Sequence, residues 1–350
     1  MKFLLSQQIL SKKFSPFVLD NLKNFFAIIL SKSGALDLVH RLLYGQSAVI
    51  LMYHRVIPFL SVGIDYVQPG MYVSVKSFRR HAALLKEKFE VISLADIVTR
   101  LHLGKSVAGC CAITFDDGWL DNFTHAFGVL QEFKLPATVF LASSFIGTDK
   151  HFWPEQLSFY LRQPEMRRTG KYEAIIHKFY SEVIPAIDEE SFIDNAIVAL
   201  KSWSPDKRDE LLDCLRAITT CPGAPRLLMN WDEVLEMHRS GLVDFGSHTV
   251  NHEILDQIPL DKAREEIVCS RDEIEAFLGV PVTLFAYPNG NFNAPLLNVV
   301  KEIGYTGAVT TKSGWVACDT NVLSIPRIGL HEDVGKTKSR FYARLVFQRF

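Results

Sequence analysis

Two polar clusters interrupt the apolar rhythm of this chain. The first is Asp116-Asp117-Gly118, which ends the apolar run from Ala108 to Phe115. The second is His248-Thr249-Val250-Asn251-His252, close behind Leu242-Val243-Asp244-Phe245-Gly246. An apolar strand that stops at two carboxylates presents acidic groups at the end of a sheet. In parallel α/β folds, sites are built at that end. Asp-Asp-Gly alone would also make a good solvated turn. The histidine pair changes the balance, because residues four apart share one face of a helix or tight turn. Two imidazoles and one carboxylate are the ligand set of a catalytic zinc, which leaves a position open for water. Such a metal lowers the pKa of its water to about 7 and polarises a carbonyl. A second aspartate is then free to act as general base. The chemistry indicated is metal-assisted hydrolysis.

These groups need a scaffold that brings two strand ends together. Ala48 to Tyr53 is continuously apolar and suits a parallel strand buried on both faces. Further strands are expected at Val91–Leu94, Ala108–Phe115, Ala137–Leu141, Leu242–Gly246, Thr283–Tyr287, Gly307–Thr310 and Val322–Ile328. Helical periodicity falls between them, at Val75–Phe89, Ala95–Leu103, Asp121–Phe133, Trp231–Ser240, Leu260–Leu278 and Ala294–Ile303. About seven strands alternating with helices predict a parallel α/β architecture, closed or nearly closed. The alternation breaks between Gly147 and Leu228. Helical patterns there, at His151–Leu161, Tyr172–Val183, Glu189–Trp203 and Asp206–Thr219, predict a helical insertion forming a lid or a cleft wall. Residues 14–44 form one or two amphipathic helices, with Phe17, Leu22, Phe25 and Phe26 among the apolar positions. Packing of these against the main domain is preferred over peripheral membrane contact. The organisation expected is an N-terminal helical segment at 1–45, a main domain at 46–335 carrying an insertion at about 147–228, and a tail at 336–350.

Composition sets outer bounds. The chain has 350 residues, 48% of them apolar and 22% charged, which is ordinary for a folded globular protein. A net charge of −1 argues against a nucleic-acid partner. Six cysteines include no CxxC pair, and Cys110 and Cys111 sit within an apolar run, so they are expected to be buried thiols. This usage fits a reducing compartment. Met1-Lys2-Phe3-Leu4-Leu5 opens like a signal peptide, but Ser6-Gln7-Gln8 interrupts it and no small-residue cleavage site follows. A cytoplasmic setting, at the inner membrane surface in the case of membrane contact, is the expectation.

The two clusters and their flanks resemble a known family. Thr114-Phe115-Asp116-Asp117-Gly118 and His248-Thr249-Val250-Asn251-His252 are similar to the first two motifs of the polysaccharide deacetylases with NodB-homology domains, carbohydrate esterase family 4. Met52-Tyr53-His54-Arg55, Trp231-Asp232-Glu233 and Phe285-Ala286-Tyr287-Pro288-Asn289-Gly290 fit the same order, over about residues 47–330. The resemblance implies a distorted (β/α)7 barrel. It implies that Asp117, His248 and His252 bind a divalent metal, with Zn2+ the first choice. It makes Asp116 the general base, lets Thr249 support the site from behind, and assigns the Asn289 backbone N–H to the oxyanion. Tyr53, His54, Tyr287 and Trp315 are candidate contacts for a sugar.

The departures are specific. The arginine that usually braces the catalytic aspartate is replaced by Ala286, and Thr311-Lys312-Ser313-Gly314-Trp315 lacks the usual acid. With both charges missing together, no unpaired charge is left behind. Arg327 is the candidate to supply the brace from another strand, and His331 the candidate general acid. The activity implied is removal of N-acetyl groups from an amino sugar in a surface polysaccharide or its precursor. The alternatives are metal-dependent hydrolysis of a small-molecule C–N bond and a non-catalytic glycan-binding relative.

Overall fold

The apolar runs become strands of one parallel sheet. The structure is a computed structural model that describes residues 16–58, 67–68, 70–163, 189–217 and 226–348. Its strands are β1 (Val49–Tyr53), β2 (Arg55–Ile57), β3 (Tyr72–Ser74), β4 (Glu90–Val91), β5 (Cys110–Phe115), β6 (Ala137–Leu141), β7 (Val243–Ser247), β8 (Leu284–Ala286), β9 (Gly307–Val309) and β10 (Ile328–Gly329). The main sheet runs β10-β1-β5-β6-β7-β8-β9, with β4 beside the start of β5. Every pairing in it is parallel. The segment before β10 closes the curl. Ile325 bridges Val309 at one edge, and three residues later Ile328 pairs with Leu51 at the other. This is a distorted (β/α)7 barrel carrying an N-terminal helical segment.

Alternation along each strand sorts side chains onto two faces. Ala112 joins Ile50, Phe140, Leu284, Ala286 and Val309 in a cluster inside the curl. Ile113 and Phe115 join Leu51, Val139 and Phe285 in the larger cluster that packs under the helices. Thr114 and Asp116 share the parity of Ala112 and so face inward.

Several elements differ from the sequence-based expectation. The pair β2–β3 is additional; it fixes the chain just after β1. The expected helix at 121–133 opens with a π-helical turn, Asn122–Ala126, before Phe127–Phe133. The insertion contributes the helices Trp153–Leu161, Glu189–Leu200 and Pro205–Ala217, which share a small core of Leu157, Ile193, Ile197, Leu211 and Leu215. The helix expected at Tyr172–Val183 lies outside the described residues. Residues 336–350, read above as a tail, include the helix Lys338–Phe347, whose Phe341 and Leu345 are fully buried.

The N-terminal helices span Pro16–Lys32 and Ala35–Tyr44. The first packs against Lys338–Phe347, with Leu30 partly buried against the core but the expected Leu22, Phe25 and Phe26 left outside. Ala27 and Leu36 are buried, whereas Leu22, Phe25 and Phe26 are 39%, 58% and 55% exposed. Close approach explains the choice of face. Asn24 bonds the Thr337 hydroxyl at 3.1 Å, and a small alanine one turn later lets the helices touch. The side chain of Phe17 lies outside the described residues.

Candidate metal centre and catalytic pocket

The site is built from the C-terminal ends of β1, β5, β7 and β8. Asp116 and Asp117 follow β5 and diverge at once. Asp117 takes a left-handed backbone conformation, φ 79°, and Gly118 follows at φ 84°. A Cβ on Gly118 would lie 2.8 Å from Leu141 and 2.9 Å from Ile146, so only glycine fits that turn. Thr249, His252 and Asn289 are also left-handed, with φ between 56° and 67°. Among the described residues, six non-glycine positions have positive φ, and four of them are here. Such backbone strain persists only where its surroundings enforce it, and it gathers at functional sites.

Asp117 sits between the two histidines. Its Oδ1 lies 3.5 Å from His248 Nε2 and 3.4 Å from His252 Nε2. Ligand atoms of all three lie within 4.8 Å of one another. Asp117 Oδ2 accepts the indole N–H of Trp119 at 2.8 Å, while Oδ1 is buried with no hydrogen-bond partner. His248 donates from Nδ1 to the Ala286 carbonyl at 2.8 Å, which turns Nε2 toward Asp117. A ring N–H tied to a backbone carbonyl is the usual way that a metal-binding imidazole is oriented. An orphaned carboxylate oxygen facing two free imidazole nitrogens therefore fits a divalent cation. Burial pushes the Asp117 carboxyl up, but the two histidines beside it outweigh burial and hold the group well below the carboxylate range.

Asp116 is held by a different device. Arg327, fully buried, donates from Nη1 to Asp116 Oδ1 and from Nη2 to Oδ2, both at 2.7 Å. Arg327 also donates to the Thr310 carbonyl and to the Thr114 hydroxyl, each at 3.0 Å. Its guanidinium stands over the Phe140 ring. Bidentate pairs of this kind fix geometry as well as charge. Burial again pushes the Asp116 carboxyl up, and the Arg327 charge and hydrogen bonds win, holding it below its ordinary value. Ala286, where an arginine could have stood, leaves room on the inner face and lends only its carbonyl, to His248.

These groups open into a pocket of about 280 Å³, lined also by His54, Asn289, Thr311, Trp153, Glu155 and Lys201. Burial lowers the pKa of His54 against the pull of Asp117 and Asp116. Asn122 holds the His54 carbonyl at 2.7 Å. Gly290, at φ 77°, lets the Asn289 turn press on Thr311, whose hydroxyl donates to the Asn289 carbonyl at 3.1 Å. A Cβ there would come within 2.0 Å of Thr311 Oγ1. Thr249 is buried behind the histidines, and its carbonyl accepts the Ser143 N–H at 3.1 Å. Beyond Phe152, Trp153 and His252 the pocket adjoins a chamber of about 750 Å³, walled by Phe159, Tyr160, Arg208 and Arg216 of the insertion.

Four expected contacts are elsewhere. Tyr53 is fully buried and hydrogen-bonded to His81 at 3.1 Å, because its parity along β1 turns it away from the curl. Tyr287, two residues beyond Phe285, takes the same outer face and donates to the Leu323 carbonyl at 3.0 Å. Trp315 stacks on Tyr44 with centroids 4.6 Å apart and donates to the Leu345 carbonyl. Its neighbour Val316 bridges Ala48, so it belongs to the opposite end of the barrel. His331 does not line the pocket; it precedes the helix Glu332–Gly335, with Nδ1 3.5 Å from Asp333. Trp119, Trp153, Glu155 and Lys201 carry no motif that singles them out. Glu155 is the most consequential of them, since burial pushes its carboxyl up to about 7.

Comparison with known proteins identifies the family and the fold. The family model described as polysaccharide deacetylase matches residues 104–308. YxkH of Bacillus subtilis (strain 168), a protein named after the polysaccharide deacetylases, is 21% identical over 281 residues, covering 80% of this chain and 70% of its own length. Among solved structures, the Streptococcus pyogenes deacetylase PplD in complex with acetate superposes with a TM-score of 0.56 at 18% identity. It covers 85% of this chain and 98% of its own. IcaB from Ammonifex degensii superposes with the same TM-score at 16% identity, over 85% and 97% of the two chains. At such identities the superpositions speak for the barrel, and the match over residues 104–308 speaks for more: this chain belongs to the polysaccharide deacetylase family.

Proposed function

We propose that the protein removes N-acetyl groups from an amino sugar of a surface polysaccharide or its precursor, with a divalent metal, Zn2+ by donor set, held by Asp117, His248 and His252. The observation that carries the metal is Asp117 Oδ1, buried without a partner and facing two imidazole nitrogens. Two nitrogens and one oxygen, with the rest of the coordination sphere open, are the donors of a hydrolytic zinc site. A cation bound there supplies Lewis-acid polarisation of the acetamide carbonyl and a more acidic water.

The chain's own groups do the rest. Asp116, kept ionised by Arg327, accepts the proton of the attacking water. The Asn289 N–H, from the turn after β8, is offered to the developing oxyanion. Collapse breaks the C–N bond, and the departing amine needs a proton. Asp116 can return the one it took, since a carboxyl with a lowered pKa gives up a proton readily to an amine. His54, which lines the pocket, is the imidazole proposed to assist in the role that the sequence suggested for His331. The unpaired thiols of Cys110 and Cys111 support a reducing compartment, and therefore a precursor made inside the cell.

Acetate release from N-acetylglucosamine oligomers and from lipid-linked N-acetyl sugars tests this reading, before and after chelation and after Zn2+ is restored. Release that stops with chelator and returns with the metal is expected. Release indifferent to chelator would remove the metal from the reading. No release from any N-acetyl sugar by metal-loaded protein would remove the activity.

A further inference from the structure

From the N-terminal helices we infer that this protein docks on an anionic lipid surface, lying on the bilayer through one face of the hairpin formed by Pro16–Lys32 and Ala35–Tyr44. That face carries Phe25, Phe26 and Ile29 from the first helix and Leu38, Leu42 and Leu43 from the second, with exposures from 45% to 72%. Six large apolar residues left exposed on two successive helices mark an interaction surface. Charge selects the occupant. Residues 1–45 hold Lys2, Lys12, Lys13, Lys23, Lys32 and Arg41 against Asp20 and Asp37, a net of +4. The whole chain is −1, so residues 46–350 carry −5. Lys23, Lys32 and Arg41 are exposed beside the apolar residues, and no acid pairs with them among the described residues. Asp37 is engaged by the main domain, bound to Lys88 at 2.7 Å and to the Tyr342 hydroxyl at 2.8 Å.

A second copy of this chain would meet the same positive face, like charge against like. An anionic headgroup layer offers negative charge outside and hydrocarbon beneath, which is what interleaved bases and large apolar side chains match. The fifteen residues leading into the first helix continue the pattern, with three lysines, no acid, and Phe3, Leu4, Leu5, Ile9, Leu10 and Phe14. Among the described residues, no helix is long and apolar enough to cross a membrane, so these helices lie on the surface.

The test is flotation of the full chain with vesicles of phosphatidylglycerol and phosphatidylcholine, against vesicles of phosphatidylcholine alone. The wild type should float with the anionic vesicles and lose most of that binding in high salt. Two variants separate the contributions: Phe25→Ser with Phe26→Ser and Leu42→Ser, and Lys23→Glu with Lys32→Glu and Arg41→Glu. Each should lower binding by about tenfold or more. Both should still release acetate from a soluble N-acetylglucosamine oligomer at the wild-type rate, which shows that the barrel is folded. Binding that is absent, or unchanged in either variant, would overturn the inference. So would a wild-type dimer that Phe25→Ser with Phe26→Ser dissociates, since a second copy would then cover this face.

Discussion

The two walls of the catalytic pocket are held by different means. On the barrel wall, Asp116, Asp117 and His248 are nearly inaccessible, and each is fixed by a named partner: Arg327, Trp119 or the Ala286 carbonyl. Their backbones grow out of paired strands. On the insertion wall, Trp153 and Glu155 come from the first turn of a helix and Lys201 from the turn after another; the first two are half-buried and Lys201 is exposed. The first wall is arranged for chemistry, which tolerates little displacement. The second is arranged for contact with whatever lies in the pocket. Substitutions on the barrel wall should therefore act on every substrate alike, and those on the insertion wall should depend on substrate and pH.

The sharpest break is expected from Asp117→Ala. It removes the carboxylate that both histidines face, the metal ligand proposed above. Loss of an outer-shell partner of a metal ligand typically costs 10–100-fold in affinity or activity, and loss of the ligand should exceed that. Metal content per chain and acetate release should fall together. A variant that keeps its metal and turns over at wild-type rate would separate Asp117 from the site.

Next is Arg327→Met. It leaves Asp116 buried without its donors, a change that costs about 3–5 kcal/mol when a buried ion pair loses one member. The sign for pH follows from the same loss. With the guanidinium gone, burial dominates and the Asp116 pKa rises. The acidic limb of the activity profile, where the base must be ionised, should move to higher pH. Adding Asp116→Leu should restore much of the stability and none of the activity. Urea denaturation of the two variants and a pH–rate profile of the first are the measurements. Equal stability of single and double variants would show that Asp116 is not what Arg327 compensates.

The two walls also differed in how far sequence could read them. Asp116, Asp117, His248 and His252 could be found because strand ends converge in a parallel barrel, so local motifs become neighbours. Arg327 could be named as a brace only because Ala286 left a gap, and its reach depends on the closing segment between β9 and β10. Tyr53, Tyr287 and Trp315 carry the right chemistry but sit at the wrong parity or the wrong end, which is a matter of register and closure. Glu155 was invisible. Its role comes from the way the insertion folds back, with Met229 donating to the Gly118 carbonyl at 2.9 Å, and no local pattern encodes that return.

Glu155→Gln probes the insertion wall. Glu155 titrates near 7, so the pocket gains a negative charge as pH rises from about 6 to 8. A carboxyl whose folded pKa is raised favours the fold below its unfolded value and loses that contribution as pH rises through the folded one. The glutamine variant should gain stability relative to wild type above pH 7 and show no difference well below 4.5. Its activity should lose the step near neutrality, with a change of only a few-fold at the optimum. An unchanged step would assign that titration to another group.

The smallest effect is expected from His331→Ala, and it is the most informative about the general acid. A histidine that protonates the leaving amine contributes typically 10²–10⁴-fold. His331 stands outside the pocket lining, beside Asp333, so its loss should change turnover by no more than a few-fold. His54→Ala, made in parallel, removes an imidazole that does line the pocket and should cost more. The ratio of the two decides between walls that are complete as they stand and a pocket that must rearrange to bring His331 in. A hundredfold loss in His331→Ala with a mild effect in His54→Ala would mean that the chain after β10 moves by several ångströms during turnover. The barrel wall would then no longer be the fixed side of the comparison.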